Sequence, residues 1–65
     1  MTHGVVLAYS NDVQAGVICD PDGGRHYFRG REWRSAPVTP QPGMNVVFKK
    51  TPQGASEVRA DPTLS

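Results

Sequence analysis

The chain has 65 residues, a formal net charge of +1, and 37% hydrophobic against 20% charged residues, which is the composition of a folded globular domain. This length excludes a two-domain enzyme and a large substrate cavity, and a single cysteine excludes a disulfide scaffold. No apolar run approaches the ~20 residues of a membrane helix, and no basic segment precedes an apolar stretch at the N-terminus, so we expect a soluble cytoplasmic protein without a membrane partner.

The pattern of apolar and polar residues along the chain indicates short β-strands separated by turns, because no window repeats apolar residues at helical spacing. Gly16 interrupts the second of these strands and predicts a bulge or a close backbone approach there. In the third strand, Tyr27 and Arg29 alternate with His26 and Phe28, which places the two pairs on opposite faces. The sequence predicts five strands, over Val5–Tyr9, Val13–Cys19, Arg25–Arg29, Met44–Lys49 and Ala55–Ala60.

Turns and one long connection separate these strands. The turn over residues 20–24 is strongly indicated, because Pro21 fixes φ and Gly23 allows a positive φ. The connection over residues 30–42 holds Trp33 and three prolines. Residues 61–65 are predicted to form a flexible tail.

Five short strands in a chain of this length predict a small all-β barrel. A flat sheet would leave one face bare and two edges open, whereas closure buries one face of every strand. We therefore expect a five-stranded antiparallel OB-fold barrel over residues 1–60, with an SH3-like barrel as the alternative. The predicted core comprises Val6, Ile18, Phe28, Trp33, Val46, Phe48 and Val58.

Positive charge is concentrated in two segments. Residues 25–34 hold four arginines against Glu32, a net +3, and residues 46–59 hold three basic residues against Glu57, a net +2. Arginine binds phosphate through two parallel hydrogen bonds and also stacks on bases. The pattern therefore fits phosphate binding, and it also fits a solvated surface on which acidic and basic segments neutralise each other.

Five segments of the chain carry a resemblance to a known family. They are Gly4-Val5-Val6-Leu7-Ala8-Tyr9-Ser10, Val13-Gln14-Ala15-Gly16-Val17-Ile18, His26-Tyr27-Phe28-Arg29-Gly30, Pro42-Gly43-Met44-Asn45-Val46-Val47-Phe48 and Ala55-Ser56-Glu57-Val58. In order and register they resemble the cold-shock domain, a small OB-fold that binds single-stranded RNA and DNA. The second and third segments fall on the two ribonucleoprotein motifs of that family.

The resemblance implies an open face, built by the first three strands, on which exposed aromatic rings stack bases. Tyr9 and Tyr27 keep their rings at this face. Four other aromatic positions of the family are occupied by small residues, namely Ala8, Ala15, Val17 and Gly30. Each lost stacking platform removes about 1–3 kcal/mol of binding free energy, so we expect weak binding.

The candidate nucleic-acid-binding residues combine these rings with the basic side chains. They are Tyr9, Tyr27, Arg25, Arg29, Arg31, Arg34, Lys49 and Lys50. The alternative is a protein-interaction or dimerisation module, because Leu7, Val13, Ala15 and Val17 would form an apolar patch rimmed by arginine on the same face.

Catalytic and metal-binding functions find no support in the sequence. His26 is predicted to be a packed core residue, and His3 a mobile terminal one, and neither has metal-ligand spacing to other residues. Cys19 is predicted to be a small buried hydrophobe, since nothing is placed to activate it. We therefore predict a binding domain that is not an enzyme and uses no cofactor.

Overall fold

The computed structural model describes residues 1–62 and contains five β-strands, as predicted. The strand Arg25–Arg29 has the predicted bounds, whereas Val13 lies in the turn before the second strand. A short 3₁₀ turn, Gly30–Glu32, follows the third strand. The strands are β1 (Thr2–Ser10), β2 (Ala15–Cys19), β3 (Arg25–Arg29), β4 (Asn45–Thr51) and β5 (Gly54–Ala60).

All five strands form one antiparallel sheet in the order β3-β2-β1-β4-β5. Tight turns join β1 to β2, β2 to β3 and β4 to β5, and the long connection carries the chain from β3 to β4. Within residues 1–62, β3 and β5 share no hydrogen-bonded ladder, so the sheet is not closed into a barrel. The structure therefore contains an open five-stranded sheet and not the predicted closed barrel.

The connection that follows β3 lies along the outer edge of β5. Trp33 forms a parallel bridge with Val58, and the Arg34 amide donates to the Val58 carbonyl over 2.7 Å. The Ala60 amide donates to the Ser35 hydroxyl over 2.9 Å. These contacts use edge groups of β5 that would otherwise remain open to another chain.

The core is formed by inward-facing residues of all five strands. The predicted core is confirmed except at Trp33, which is half-buried and packs against the cluster from its rim. The Trp33 indole N–H donates to the Val38 carbonyl over 2.6 Å, so the polar end of the ring stays satisfied at the surface. The buried cluster consists of Val6, Ile18, Phe28, Val46, Phe48, Ala55 and Val58.

A β-bulge at Leu7 changes the face on which the end of β1 lies. Val6 pairs with Ile18 and Ala8 pairs with Val17, so Leu7 is the extra residue. The bulge turns Tyr9 inward, where its ring stacks on Phe28 with centroids 5.8 Å apart. Tyr9 is therefore half-buried rather than exposed like Tyr27, although both tyrosines line one groove.

Gly16 is the point of close approach that the sequence predicted, although the bulge lies in β1. Gly16 pairs with Phe28 across the β2–β3 ladder. A Cβ at this position would lie 2.7 Å from the Phe28 ring, so only glycine lets the ring lie flat under the sheet.

Asp61, which belongs to the predicted flexible tail, makes defined contacts beyond the end of β5. Asp61 is buried, and its amide donates to the Asn45 carbonyl over 2.9 Å. Its carboxylate lies 2.9 Å from Nδ1 of His3, which belongs to β1 and is not a mobile terminal residue. Residues 63–65 of the predicted tail lie outside the described residues. No helix in the described part of the chain is long and apolar enough to cross a membrane.

Candidate nucleic-acid interface

The outer face of β3 carries three of the candidate residues. Arg25, Tyr27 and Arg29 are exposed, while His26 and Phe28 point inward, as the alternation predicted. Tyr27 is 68% exposed, so most of its ring is open to solvent. An aromatic ring open to solvent between two guanidinium groups can stack a base while its neighbours contact phosphates.

A shallow groove lies on one side of Tyr27. It has a volume of about 320 Å³ and is lined by Ala8, Tyr9, Ser10, Ala15, Gly16, Val17 and Tyr27. We call it the apolar groove. Small side chains stand at most of the positions where the cold-shock resemblance implies aromatic rings, so Tyr9 and Tyr27 are the only aromatic residues that line the groove.

A larger cleft lies on the other side of Tyr27, in the gap where β3 and β5 are not paired. We call it the edge cleft. It has a volume of about 500 Å³ and is more polar in character. The lining includes Tyr27, Arg29, Arg31, Glu32, Thr51 and Gln53. Cations, hydroxyl and amide groups here can bind phosphate and the polar edges of bases.

The Arg31 side chain is 79% exposed and projects beside the edge cleft. Its Nε atom lies 4.0 Å from the Glu32 carboxylate, which is too long for a strong pair. Arg31 therefore keeps most of its hydrogen-bonding capacity for a ligand.

The remaining predicted basic residues lie elsewhere. Arg34 and Lys49 line a different concavity, together with Arg59. Lys50 lies 3.7 Å from the Asp20 carboxylate, which partly neutralises it. The structure thus brings Tyr27, Arg25, Arg29 and Arg31 together and separates Arg34, Lys49 and Lys50 from them.

A buried carboxylate fixes the turn that leads into β3. Asp20 accepts hydrogen bonds from the amides of Asp22 and Gly24 over 2.9 and 2.8 Å. Its other oxygen lies 2.7 Å from Nε2 of His26. These contacts lower the pKa of Asp20 from 3.8 to about 2. The hydrogen bond with His26 is the largest cause, and the hydrogen bond from the Gly24 amide is the second largest.

His26 is a structural residue, as the sequence predicted. Its ring packs against Phe48 with centroids 5.2 Å apart, and its Nε2 side faces Asp20. The histidine therefore links the β2–β3 turn to β4 and sets the start of the strand that presents Tyr27. Among residues 1–62, no group of three or more histidine, cysteine, aspartate or glutamate side chains could hold a metal ion.

Sequence reasoning missed several residues of these clefts. Thr51 and Gln53 reach the edge cleft because the β4–β5 turn folds beside β3, and Glu32 reaches it from the 3₁₀ turn that follows β3. Arg59 was counted in a basic segment, but nothing in the local pattern indicated that it meets Arg34. The chain matches no protein-family profile and no curated protein sequence, so the interface is interpreted from its own geometry.

Proposed function

We propose that this chain is a cold-shock-like domain with OB-type topology that binds single-stranded nucleic acid weakly through the outer face of β3. It acts by binding and not by catalysis, in the cytoplasm. The observation that carries the proposal is the position of Tyr27, which borders both the apolar groove and the edge cleft. Arg25 and Arg29 flank it on the same face of the strand.

The topology supports the OB-type assignment. β1 lies between β2 and β4, and the chain after β3 lies parallel to β5 at Trp33 and Val58. A sheet with this strand order would close into a five-stranded barrel if a hydrogen-bonded ladder joined its two edge strands, β3 and β5. The gap between them leaves the edge cleft accessible to a ligand.

In the proposed complex, one base stacks on Tyr27 above the apolar groove. Arg25 and Arg29 contact the phosphates on either side, and Arg31 contacts a phosphate at the edge cleft. One ring contributes about 1–3 kcal/mol per stacked base, so the affinity depends strongly on the three arginines. Three phosphate contacts predict that the logarithm of the binding constant falls with the logarithm of salt concentration with a slope of about −2.

The test is fluorescence anisotropy with labelled oligothymidine and oligouridine at low salt. Tyr27→Ala is expected to weaken binding by about 5- to 150-fold, which is the loss of one stacked base. Tyr27→Phe keeps the ring and is expected to bind as the parent chain does. The proposal fails if the parent chain shows no binding at low salt, or if Tyr27→Ala binds as tightly as Tyr27→Phe.

A second candidate function is dimerisation or docking of another protein through the β1–β2 hairpin. Leu7 is 42% exposed and Val13 is 71% exposed, so two apolar side chains face solvent on this hairpin. Exposed apolar residues of this kind are common at protein interfaces. Analytical ultracentrifugation of the parent chain and of Leu7→Ser tests the dimer, because a dimer through this hairpin would dissociate in the variant.

A further inference from the structure

A third concavity lies on the outer side of β4 and β5, away from the two that border Tyr27. It has a volume of about 460 Å³ and is lined by Met1, Arg34, Lys49, Glu57 and Arg59. We call it the basic cleft. Its three cations come from three separate segments, namely the long connection, β4 and β5, and only one carboxylate stands among them.

The β4–β5 ladder explains how the cations of the two strands come together. Lys49 pairs with Ser56 and Val47 pairs with Arg59, and the register shifts between these two pairs. Glu57 occupies the irregular position with a φ of 48°, and its amide donates to the Glu32 carboxylate over 3.3 Å. The shift leaves Lys49 and Arg59 both exposed on the outer face.

Arg34 is held in place at the margin of the basic cleft. One of its terminal nitrogens donates to the Arg31 carbonyl, and the other lies 3.6 Å from the Glu32 carboxylate. The side chain remains 49% exposed. Its guanidinium group is thus oriented by the connection, yet it still presents N–H donors to solvent.

The other two cations are not neutralised by a carboxylate contact. The Arg59 guanidinium lies 3.2 Å from the uncharged Met1 sulfur. Lys49 forms no ion pair within the part of the chain that the structure describes. Bringing like charges together opposes folding, so their convergence is best compensated by an anion.

We propose that the basic cleft binds phosphate groups, and that it holds the backbone of a single strand beyond the stretch lying on β3. The choice of nucleic acid as the source of phosphate rests on the proposed function. Arg34 and Arg59 can each bind a phosphate through two parallel hydrogen bonds, and Lys49 adds a point charge. No base-stacking ring lines this cleft, so its contribution is independent of base sequence.

The decisive experiment follows backbone amide chemical shifts while inorganic triphosphate, and separately an oligothymidine, is added. Triphosphate is expected to shift the amides of residues 34, 49 and 59 in a saturable way. The double variant Lys49→Gln/Arg59→Gln is expected to abolish these shifts, whereas Arg59→Lys, which keeps the charge, retains them. The substituted side chains are exposed, so the variants should fold, and urea unfolding of each variant checks this.

The same variants separate a nucleic-acid backbone from a free phosphate compound. If the oligonucleotide also occupies the basic cleft, its salt slope is steeper than the value of about −2 expected from the three arginines near β3. Lys49→Gln/Arg59→Gln then reduces the magnitude of the slope by about 1 to 1.5, and Tyr27→Ala leaves triphosphate binding unchanged. If triphosphate binds but the oligonucleotide leaves the cleft unshifted, the cleft is a site for small phosphate compounds, and the nucleic-acid part of the proposal is overturned. Absence of saturable triphosphate shifts in the parent chain overturns the phosphate site itself, whatever the outcome at Tyr27.

Discussion

Gly54 lies directly against the backbone of Tyr27, and a Cβ on residue 54 would overlap the Tyr27 carbonyl oxygen. This is the point at which the start of β5 meets β3, although no ladder joins the two strands. The contact fixes the end of the edge cleft and holds in place the strand segment that presents the Tyr27 ring. The packing of Gly54 against the Tyr27 backbone therefore helps to set the position of the proposed binding residue.

Substitution Gly54→Ala should destabilise the chain strongly. The backbone at Gly54 has a φ of 138°, which side chains rarely adopt, and the added Cβ collides with main chain that cannot rotate away. We expect a loss of about 3 kcal/mol or more, measured by urea unfolding followed through Trp33 fluorescence.

Gly43→Ala is the matched control for that substitution. Gly43 also has a positive φ, 87°, but a Cβ there would meet no atom within 4 Å. Gly43→Ala should lower the free energy of unfolding by about 1 kcal/mol, through backbone strain alone. Equal losses at the two positions would show that the contact between Gly54 and Tyr27 contributes nothing beyond strain.

The two tyrosines should respond to substitution in opposite ways. Tyr9 is half-buried against Phe28, so Tyr9→Leu is expected to lower the free energy of unfolding by about 1–2 kcal/mol through lost packing. Because Tyr9 lines the apolar groove only as a half-buried ring, its effect on oligonucleotide affinity should be smaller than that of Tyr27→Leu. Tyr27→Leu should leave stability nearly unchanged, because the ring is 68% exposed, and should weaken binding.

Paired unfolding and anisotropy measurements on the two leucine variants test this contrast. A loss of binding in folded Tyr9→Leu as large as that in Tyr27→Leu would mean that the Tyr9 ring turns outward to stack a base. In that case the inward position of Tyr9 would not describe the bound state.

The sequence predicted the strands well where local signals agreed. β3 was predicted to the residue because the turn over residues 20–24 precedes a clear alternation. The inward position of Tyr9 could not be predicted, because a bulge adds one residue without changing the apolar pattern. The open edge between β3 and β5 depends on contacts between strands that are distant in the sequence, and alternation carries no information about it.

The part of the candidate site that lies on one strand could be predicted from the sequence, and the part that joins different strands could not. Tyr27 with Arg25 and Arg29 follows from alternation along one strand, and the structure places them together. The meeting of Arg34, Lys49 and Arg59 depends on the register shift in β4–β5 and on the path of the long connection. Charge counted by segment located the basic residues but could not show which of them converge.

Stability should fall on acidification through Asp20. Hydrogen bonds lower its pKa from 3.8 in the unfolded chain to about 2 in the folded protein. A lowered folded-state pKa contributes stability that is present above the unfolded value and is lost as pH falls through the folded one. We therefore expect this contribution to disappear between about pH 4 and pH 2.

Urea unfolding of the parent chain and of Asp20→Asn across this pH range tests that expectation. Asparagine can still accept hydrogen bonds from the Asp22 and Gly24 amides but does not titrate. The difference in unfolding free energy between the two chains should shrink steadily from pH 4 to pH 2. Parallel curves over this range would show that Asp20 does not carry the acid sensitivity.

Removal of the Glu32 charge should strengthen nucleic-acid binding. The Glu32 carboxylate lies 4.0 Å from the Arg31 side chain and 3.6 Å from that of Arg34, so it competes with phosphate for both guanidinium groups. In Glu32→Gln the amide oxygen can still accept the Glu57 amide hydrogen bond, and exposed ion pairs contribute only about 0–1 kcal/mol, so the fold should be retained. Affinity for oligothymidine should rise about 2- to 5-fold at low ionic strength, and this gain should vanish near ~1 M salt because screening removes the competition.

Asp12→Asn makes the same change in net charge in the exposed β1–β2 turn, at a carboxylate that forms no ion pair within residues 1–62. An equal gain in both variants would show that net charge, and not release of Arg31 and Arg34, governs the affinity.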